Sequence, residues 1–178
     1  MQWVSSGGGP LVLLPLRLRA LWGGCVSSYT GIYYLSEDGG YVGSDYDRAC
    51  AIPGTVGVLG VGEGECVVFG NEQSQATWVV DEKLQYLLVR WLYADSDEQV
   101  FAVLQGLTSE DFEPSEMRFR NTDSELILFD SAAPGIRVSP TKSLVLNLPP
   151  GEYSIRTGLV VKNEKTALLI HHFAGPHT

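Results

Sequence analysis

The chain has 178 residues, a net charge of −9 and three cysteines. That length can bury one core without metal or disulfide staples, and the acidity argues against a nucleic-acid or anionic-membrane partner, since both need a basic face. Cys25, Cys50 and Cys66 form no C-x-x-C pair and read as reduced thiols of a cytoplasmic protein. The one apolar run near the N-terminus is interrupted by Pro15, Arg17 and Arg19, so neither a signal peptide nor a membrane span is expected.

Trp3-Val4 reads as a short strand entering a glycine-rich turn, and Leu11 to Leu14 as a buried strand unbroken by polar residues. Leu16 to Trp22 alternates like a strand, yet also fits a short helix begun by Pro15 and stopped by Gly23-Gly24. Val26 to Gly43 is an irregular, tyrosine-rich insertion with one strand at Ile32 to Leu35. Ser44 to Cys50 is a single helical turn capped by Ser44 or Asp45. Val56 to Gly70 forms two strands joined at Gly62-Glu63-Gly64. Strands follow at Ala76 to Val80 and at Leu84 to Tyr93, the second rich in β-branched and aromatic residues.

Ser96 and Gln99 have the spacing of a capping box, and Asp97 and Glu98 suit the first turn of a helix. Val100, Phe101, Val103, Leu104 and Leu107 would form its apolar face. Phe112 to Pro114 is a loop, Glu116 to Arg120 an edge strand, and Ala174 to Thr178 a frayed tail.

Leu144 to Ile155 repeats the layout of Val56 to Gly70, with Gly151-Glu152 in the place of Gly64-Glu65. Leu11 to Leu14 and Leu126 to Phe129 stand before the two stretches; Gln75 to Val80 and Glu164 to Leu169 stand after them. The expected fold is α+β: one β-rich domain over residues 1–178, of two similar antiparallel β units with one or two short helices. An internal duplication would divide it at about 1–93 and 94–178.

The candidate chemistry is sparse. Asp45 and Asp47 beside Arg48 could hold a metal or an acid–base pair, but a hard cation needs more oxygen ligands than stand nearby. The competing reading is a structural turn in which Arg48 pairs with a carboxylate; Tyr46 lies within the same turn. Gly60-x-Gly62-x-Gly64 lacks the lysine and hydroxyl of a phosphate loop. His171 and His172 would point to opposite faces of a strand and cannot chelate one ion together. No nucleophile motif is present, and neither a catalytic residue, a metal nor a cofactor is expected.

Two surface signals remain. Asp95 to Glu125 holds nine acids against two bases, so this stretch carries most of the net negative charge. Such a face would steer a basic partner, or be no more than a solvated helix start with its following loop. Tyr33 and Tyr34 with Glu37 and Asp38 have the composition of a protein-binding patch. The contact candidates are therefore Tyr33, Tyr34, Glu37, Asp38, Asp95, Asp97, Glu110 and Asp111.

The ordered set Trp3-Val4, Gly8-Gly9-Pro10-Leu11, Asp45-Tyr46-Asp47-Arg48-Ala49-Cys50 and Leu88-Val89-Arg90-Trp91 resembles the immunity protein 21 family. So do Ala94-Asp95-Ser96, Leu128-Phe129-Asp130-Ser131-Ala132, Leu148-Pro149-Pro150-Gly151-Glu152-Tyr153 and Leu168-Leu169-Ile170-His171. The resemblance covers nearly the whole chain, and Asp-Tyr-Asp-Arg-Ala-Cys is its most specific piece. The chain departs from the family pattern at Leu16 to Trp22, where Arg17 and Arg19 replace a more usual acidic stretch. The insertion from Val26 to Gly43 is also individual.

The resemblance implies a bacterial, non-catalytic inhibitor from a polymorphic toxin system, which occludes a cognate toxin domain; the acidity would suit a basic nuclease. No functional residue is carried over from the family. The alternatives are a small-molecule or carbohydrate-binding β domain using the tyrosines and Trp22, Trp78 or Trp91, and a metal-dependent hydrolase using Asp45, Asp47 and a C-terminal histidine.

Overall fold

The computed structural model describes residues 1–25, 34–35, 41–70 and 75–177. Two five-stranded antiparallel sheets lie face to face. Sheet I has the order β10 (Ser143–Asn147), β9 (Glu125–Asp130), β1 (Leu11–Pro15), β5 (Gly64–Phe69) and β4 (Gly57–Val61). Sheet II has the order β6 (Gln75–Asp81), β7 (Gln85–Tyr93), β12 (Thr166–His177), β11 (Gly151–Asn163) and β8 (Arg118–Asn121). A small ribbon pairs β2 (Tyr34–Leu35) with β3 (Tyr41–Gly43).

Alternation along each strand explains the layers. In β1, Leu11 and Leu13 face sheet II while Val12 and Leu14 face outward, and all four are buried. Between the sheets, Phe69, Phe119, Tyr153 and Phe173 pack with Leu88, Leu126, Leu128 and Ile155. Each such fully buried side chain contributes about 2 kcal/mol of apolar burial. Phe173 is central, with ring centroids 5.2 Å from Trp78, 6.3 Å from Phe119 and 6.5 Å from Phe69.

The outer faces are apolar too, so each needs a cover. Over sheet I lie a 3-10 helix (Leu16–Leu21), the fully buried Trp22 and α1 (Asp45–Cys50). Over sheet II lies α2 (Asp97–Leu104), with Val100, Val103, Leu104 and the following Leu107 set against Leu87, Val89, Leu168 and Ile170.

The α+β, β-rich architecture agrees with the sequence, and the 3-10 helix resolves the ambiguity at Leu16 to Trp22. Three local expectations are corrected. Leu144 to Ile155 is not a second hairpin: β10 pairs with β9 in sheet I, while β11 pairs with β12 and β8 in sheet II. Pro149-Pro150-Gly151 therefore carries the chain from one sheet to the other, whereas Gly62-Glu63 closes a true two-residue turn with Gly62 at φ 56°. The C-terminal tail does not fray, because β12 continues to His177, which pairs with Glu152.

The capping box at Ser96 does not form. Ser96 is the N-cap residue, but its side chain makes no capping bond. Gln99 instead accepts from the Asp95 amide at 3.0 Å and from the Thr166 hydroxyl at 3.0 Å, so β12 holds the side chain that the motif needs.

Candidate partner-binding surface

The acidic stretch crosses the outer face of sheet II. Asp95, Asp97 and Glu98 stand at the start of α2, and the chain then turns through a short 3-10 helix (Ser109–Asp111) that packs against β11. Gly158 permits this approach: a Cβ there would collide with the Asp111 carbonyl. The Glu113 amide next donates to the Thr157 carbonyl at 3.0 Å, and the chain enters β8 at the sheet edge. Asp95, Glu98, Glu110, Asp111, Glu113 and Glu116 are all exposed, as is Phe101 on α2. Lys162, whose Nζ donates to the Ala102 carbonyl at 3.5 Å, brings a base to the same face.

The acids differ in what they already bind. Asp97 accepts from the N-terminal ammonium of Met1 at 3.1 Å and from Trp3 Nε1 at 3.0 Å, and these bonds hold its carboxyl below the usual range. It fastens residues 1–4 to α2. Asp111 caps its own turn through the Thr108 amide and hydroxyl at 2.7 and 3.1 Å. Asp95 is exposed and exchanges hydrogen bonds with Gln99; Glu110 is exposed at the far end of the face. Of the other contact candidates, Tyr33, Glu37 and Asp38 lie outside the described residues, and Tyr34 is described only as backbone in β2.

Asp45 to Arg48 is a turn closed by its own hydrogen bonds and tied to neighbouring segments. Asp45 is 5% exposed; its Oδ2 accepts from the Gly23 amide at 2.7 Å and its Oδ1 pairs with Arg48 Nη1 at 3.0 Å. Arg48 Nη2 donates onward to the Gly60 carbonyl of β4 at 3.0 Å. Ser44 and Asp47 make the reciprocal capping box, which depresses the Asp47 carboxyl. Tyr46 packs beside Gly9, where a Cβ would collide with its ring. One helical turn thus ties the cover of sheet I to the loop before it and to the β4 edge.

Two of the three histidines are buried in sheet II. His171 is fully buried between the sheets, bonded through Nδ1 to the Thr157 hydroxyl at 2.9 Å and 5.0 Å from the Phe69 ring. Burial, with the Arg90 guanidinium adding to it, pushes its pKa down to about 3. Arg90 is itself buried and donates to the Gly70 carbonyl at 2.9 Å, which pins the base of the β4–β5 hairpin to sheet II. His172 faces the other way, 5.1 Å from Phe112, and burial lowers its pKa as well. Among the described residues no group of three His, Cys, Asp or Glu could hold a metal ion.

Trp22 cannot stack a sugar, since it is fully buried with Nε1 bonded to the Ser131 carbonyl at 2.8 Å. Trp91 packs edge-on to Trp3 at 5.1 Å. A cleft of about 660 Å³ is bordered by Ser5, Asp130, Arg137, Ser139 and Lys142, with Trp3 and Phe129 its aromatic lining residues. Sequence reasoning missed a second groove of about 380 Å³, between the open edges of β6 and β10. Its sequence signal was Val80, an apolar residue at the last inward-facing position of β6, where sheet I does not cover it.

A two-sheet scaffold whose charge lies on an exposed helical face and whose described residues hold no metal cluster is the background against which the comparison with known families falls. Residues 2–166 match the model of immunity protein 21, so the chain belongs to the immunity protein 21 family. No curated protein and no solved structure matches it. No helix among the described residues is long and apolar enough to cross a membrane.

Proposed function

We propose that this immunity protein neutralises a cognate bacterial toxin domain by binding and occluding it, with the acidic outer face of sheet II as the steering surface. The observation that carries the reading, beside the family, is the exposure of Asp95, Glu98, Glu110, Glu113 and Glu116 together with that of Phe101 on α2. An exposed aromatic on the same face as acidic side chains has the composition of a protein interface. Such a field favours a basic partner, a nuclease domain being the chemistry that most needs a basic surface. Asp97 and Asp111 act behind this surface, holding α2 and the following turn in place. Tyr33, Tyr34, Glu37 and Asp38 stay in the proposed contact set on composition alone. The protein acts without catalysis or cofactor, in the cytoplasm where the toxin would otherwise do damage.

The test is co-expression with the C-terminal domain of the large protein encoded beside this chain. Wild type should restore growth. The double variant Glu98→Lys/Glu110→Lys should slow association by a factor of about 10 at low salt and far less at high salt. Binding insensitive to both salt and charge reversal would refute the electrostatic part, and toxicity despite soluble co-expressed protein would refute the pairing.

A further inference from the structure

The edge of β6 is already used for strand addition by the chain itself. Val4 and Ala76 exchange both backbone hydrogen bonds, at 2.8 and 2.7 Å, so the N–H and C=O of Ala76 point away from β7. In an unbulged strand the same groups of residues i+2 and i+4 point the same way. The register Ala76↔Arg90, Trp78↔Leu88, Val80↔Tyr86 has no shift, and the Tyr86 amide donates to Leu84 rather than to Val80, as that geometry requires. Trp78 and Val80 therefore present their backbone groups to the open edge. Residues 1–4 do not follow them there: Gln2 turns its carbonyl to the Thr77 hydroxyl and its Nε2 to the Ser143 carbonyl, closing one end of the groove between β6 and β10.

Three further features single out the open part. Val80 is 67% exposed and Val145 50% exposed, both lining the groove with Trp78. Trp78 Nε1 is buried without a hydrogen-bond acceptor among the described residues, and a buried unpaired donor calls for an explanation. Edge strands are normally blunted by charge, proline or a cover. The β4 edge shows such a guard, since Arg48 occupies the Gly60 carbonyl. Among the described residues, no lysine or arginine lines the β6–β10 groove. Acids border it: Asp81 and Glu82 follow Val80, ahead of Lys83, Glu125 is in register with Asn147, and Asp97 on α2 pairs with the Met1 ammonium, the one cation among the described lining residues. The strap of residues 1–4 thus joins the groove to the start of α2.

We infer that the β6 edge is a strand-addition site, and that its occupant is an extended, basic segment of the cognate toxin, which continues along Trp78 and Val80 the pairing begun at Val4. Main-chain bonds would supply affinity, while alternate side chains enter the groove over Val80 and Trp78 or meet the bordering acids. The inference rests on the immunity reading and names the partner's contact.

The experiment uses the full chain and the toxin domain encoded beside it, with hydrogen–deuterium exchange on the free protein and on the complex. The amides of Trp78 and Val80 should exchange freely alone and become protected by at least 10-fold in the complex. Val80→Pro removes an edge amide that the fold does not use, so its Tm should stay near that of wild type while binding weakens by 10-fold or more. Protection confined to α2 and the 109–116 segment, with Val80→Pro binding like wild type, would overturn the edge site and leave the immunity reading standing. If wild type itself fails to bind or rescue, both fall together. If the free protein self-associates and Val80→Pro makes it monomeric, the occupant is a second copy and the toxin-strand inference is wrong.

Discussion

The two helices begin with the same signature and do opposite things. α1 starts Ser44-Asp45-Tyr46-Asp47 and α2 starts Ser96-Asp97-Glu98-Gln99. In α1 both aspartates turn to donors within the cover of sheet I: Asp45 to Gly23 and Arg48, Asp47 to Ser44. In α2 Asp97 is engaged by the N-terminus and Trp3, while Glu98 stays exposed and is held only locally, a hydrogen bond from the Ser96 side chain lowering its carboxyl. The difference is one of available donors. Gly23 and Arg48 bring N–H groups to α1, whereas α2 packs on sheet II through apolar side chains and leaves Glu98 facing solvent.

That contrast can be broken by substitution. Arg48→Ala leaves Asp45 buried with one donor lost, and it should cost about 3 kcal/mol, read as a lower denaturant midpoint. An unchanged midpoint would remove α1 from the scaffold and return Asp45 and Asp47 to the list of surface candidates.

Acid stability tests the inter-sheet polar centre. His171 is neutral in the fold with a pKa near 3 and has an ordinary value of 6.5 when unfolded. Its contribution is complete above pH 6.5 and is lost as pH falls from there towards 3, because only the unfolded chain takes up the proton. Between pH 7 and pH 5 the Tm should fall by roughly 5 °C, and His171→Gln should flatten that slope. An equal slope in the variant would assign the loss to other groups.

Smaller effects separate the two caps. Ser44→Ala removes a working capping box and should cost about 1 kcal/mol. Ser96→Ala, where no capping bond exists, should cost under about 0.5 kcal/mol. Equal costs would mean that both serines cap in solution. Glu98→Lys/Glu110→Lys should leave the denaturant midpoint within about 0.5 kcal/mol of wild type, so that any loss of toxin binding belongs to the surface and not to the fold.

Much of the scaffold was legible in the chain. Short apolar runs gave β1 and β9, the Gly62-Glu63 turn gave the β4–β5 hairpin, and the spacing from Val100 to Leu107 gave α2. The Asp45–Arg48 pair was legible as one of two readings, because an i,i+3 acid and base on a helical turn can always meet. The site was less legible. Nine acids between Asp95 and Glu125 announced a charged face, but composition could not separate Asp97 and Asp111, held by donors of neighbouring segments or of their own turn, from the more exposed Glu98 and Glu110.

Sequence by itself determined the family, the β-rich class, the acidic stretch and the alternation that makes each strand two-faced. These depend on residue types and on spacings of a few positions, which local geometry enforces. Only the tertiary structure decided which strands share a sheet, why Leu144 to Ile155 crosses between sheets where Val56 to Gly70 folds back, and which edge stays open. Pairing of Val4 with Ala76, Arg48 with Gly60 or Gln99 with Thr166 joins residues far apart in sequence, and the directions of their backbone and side-chain groups exist only once both sheets are in place.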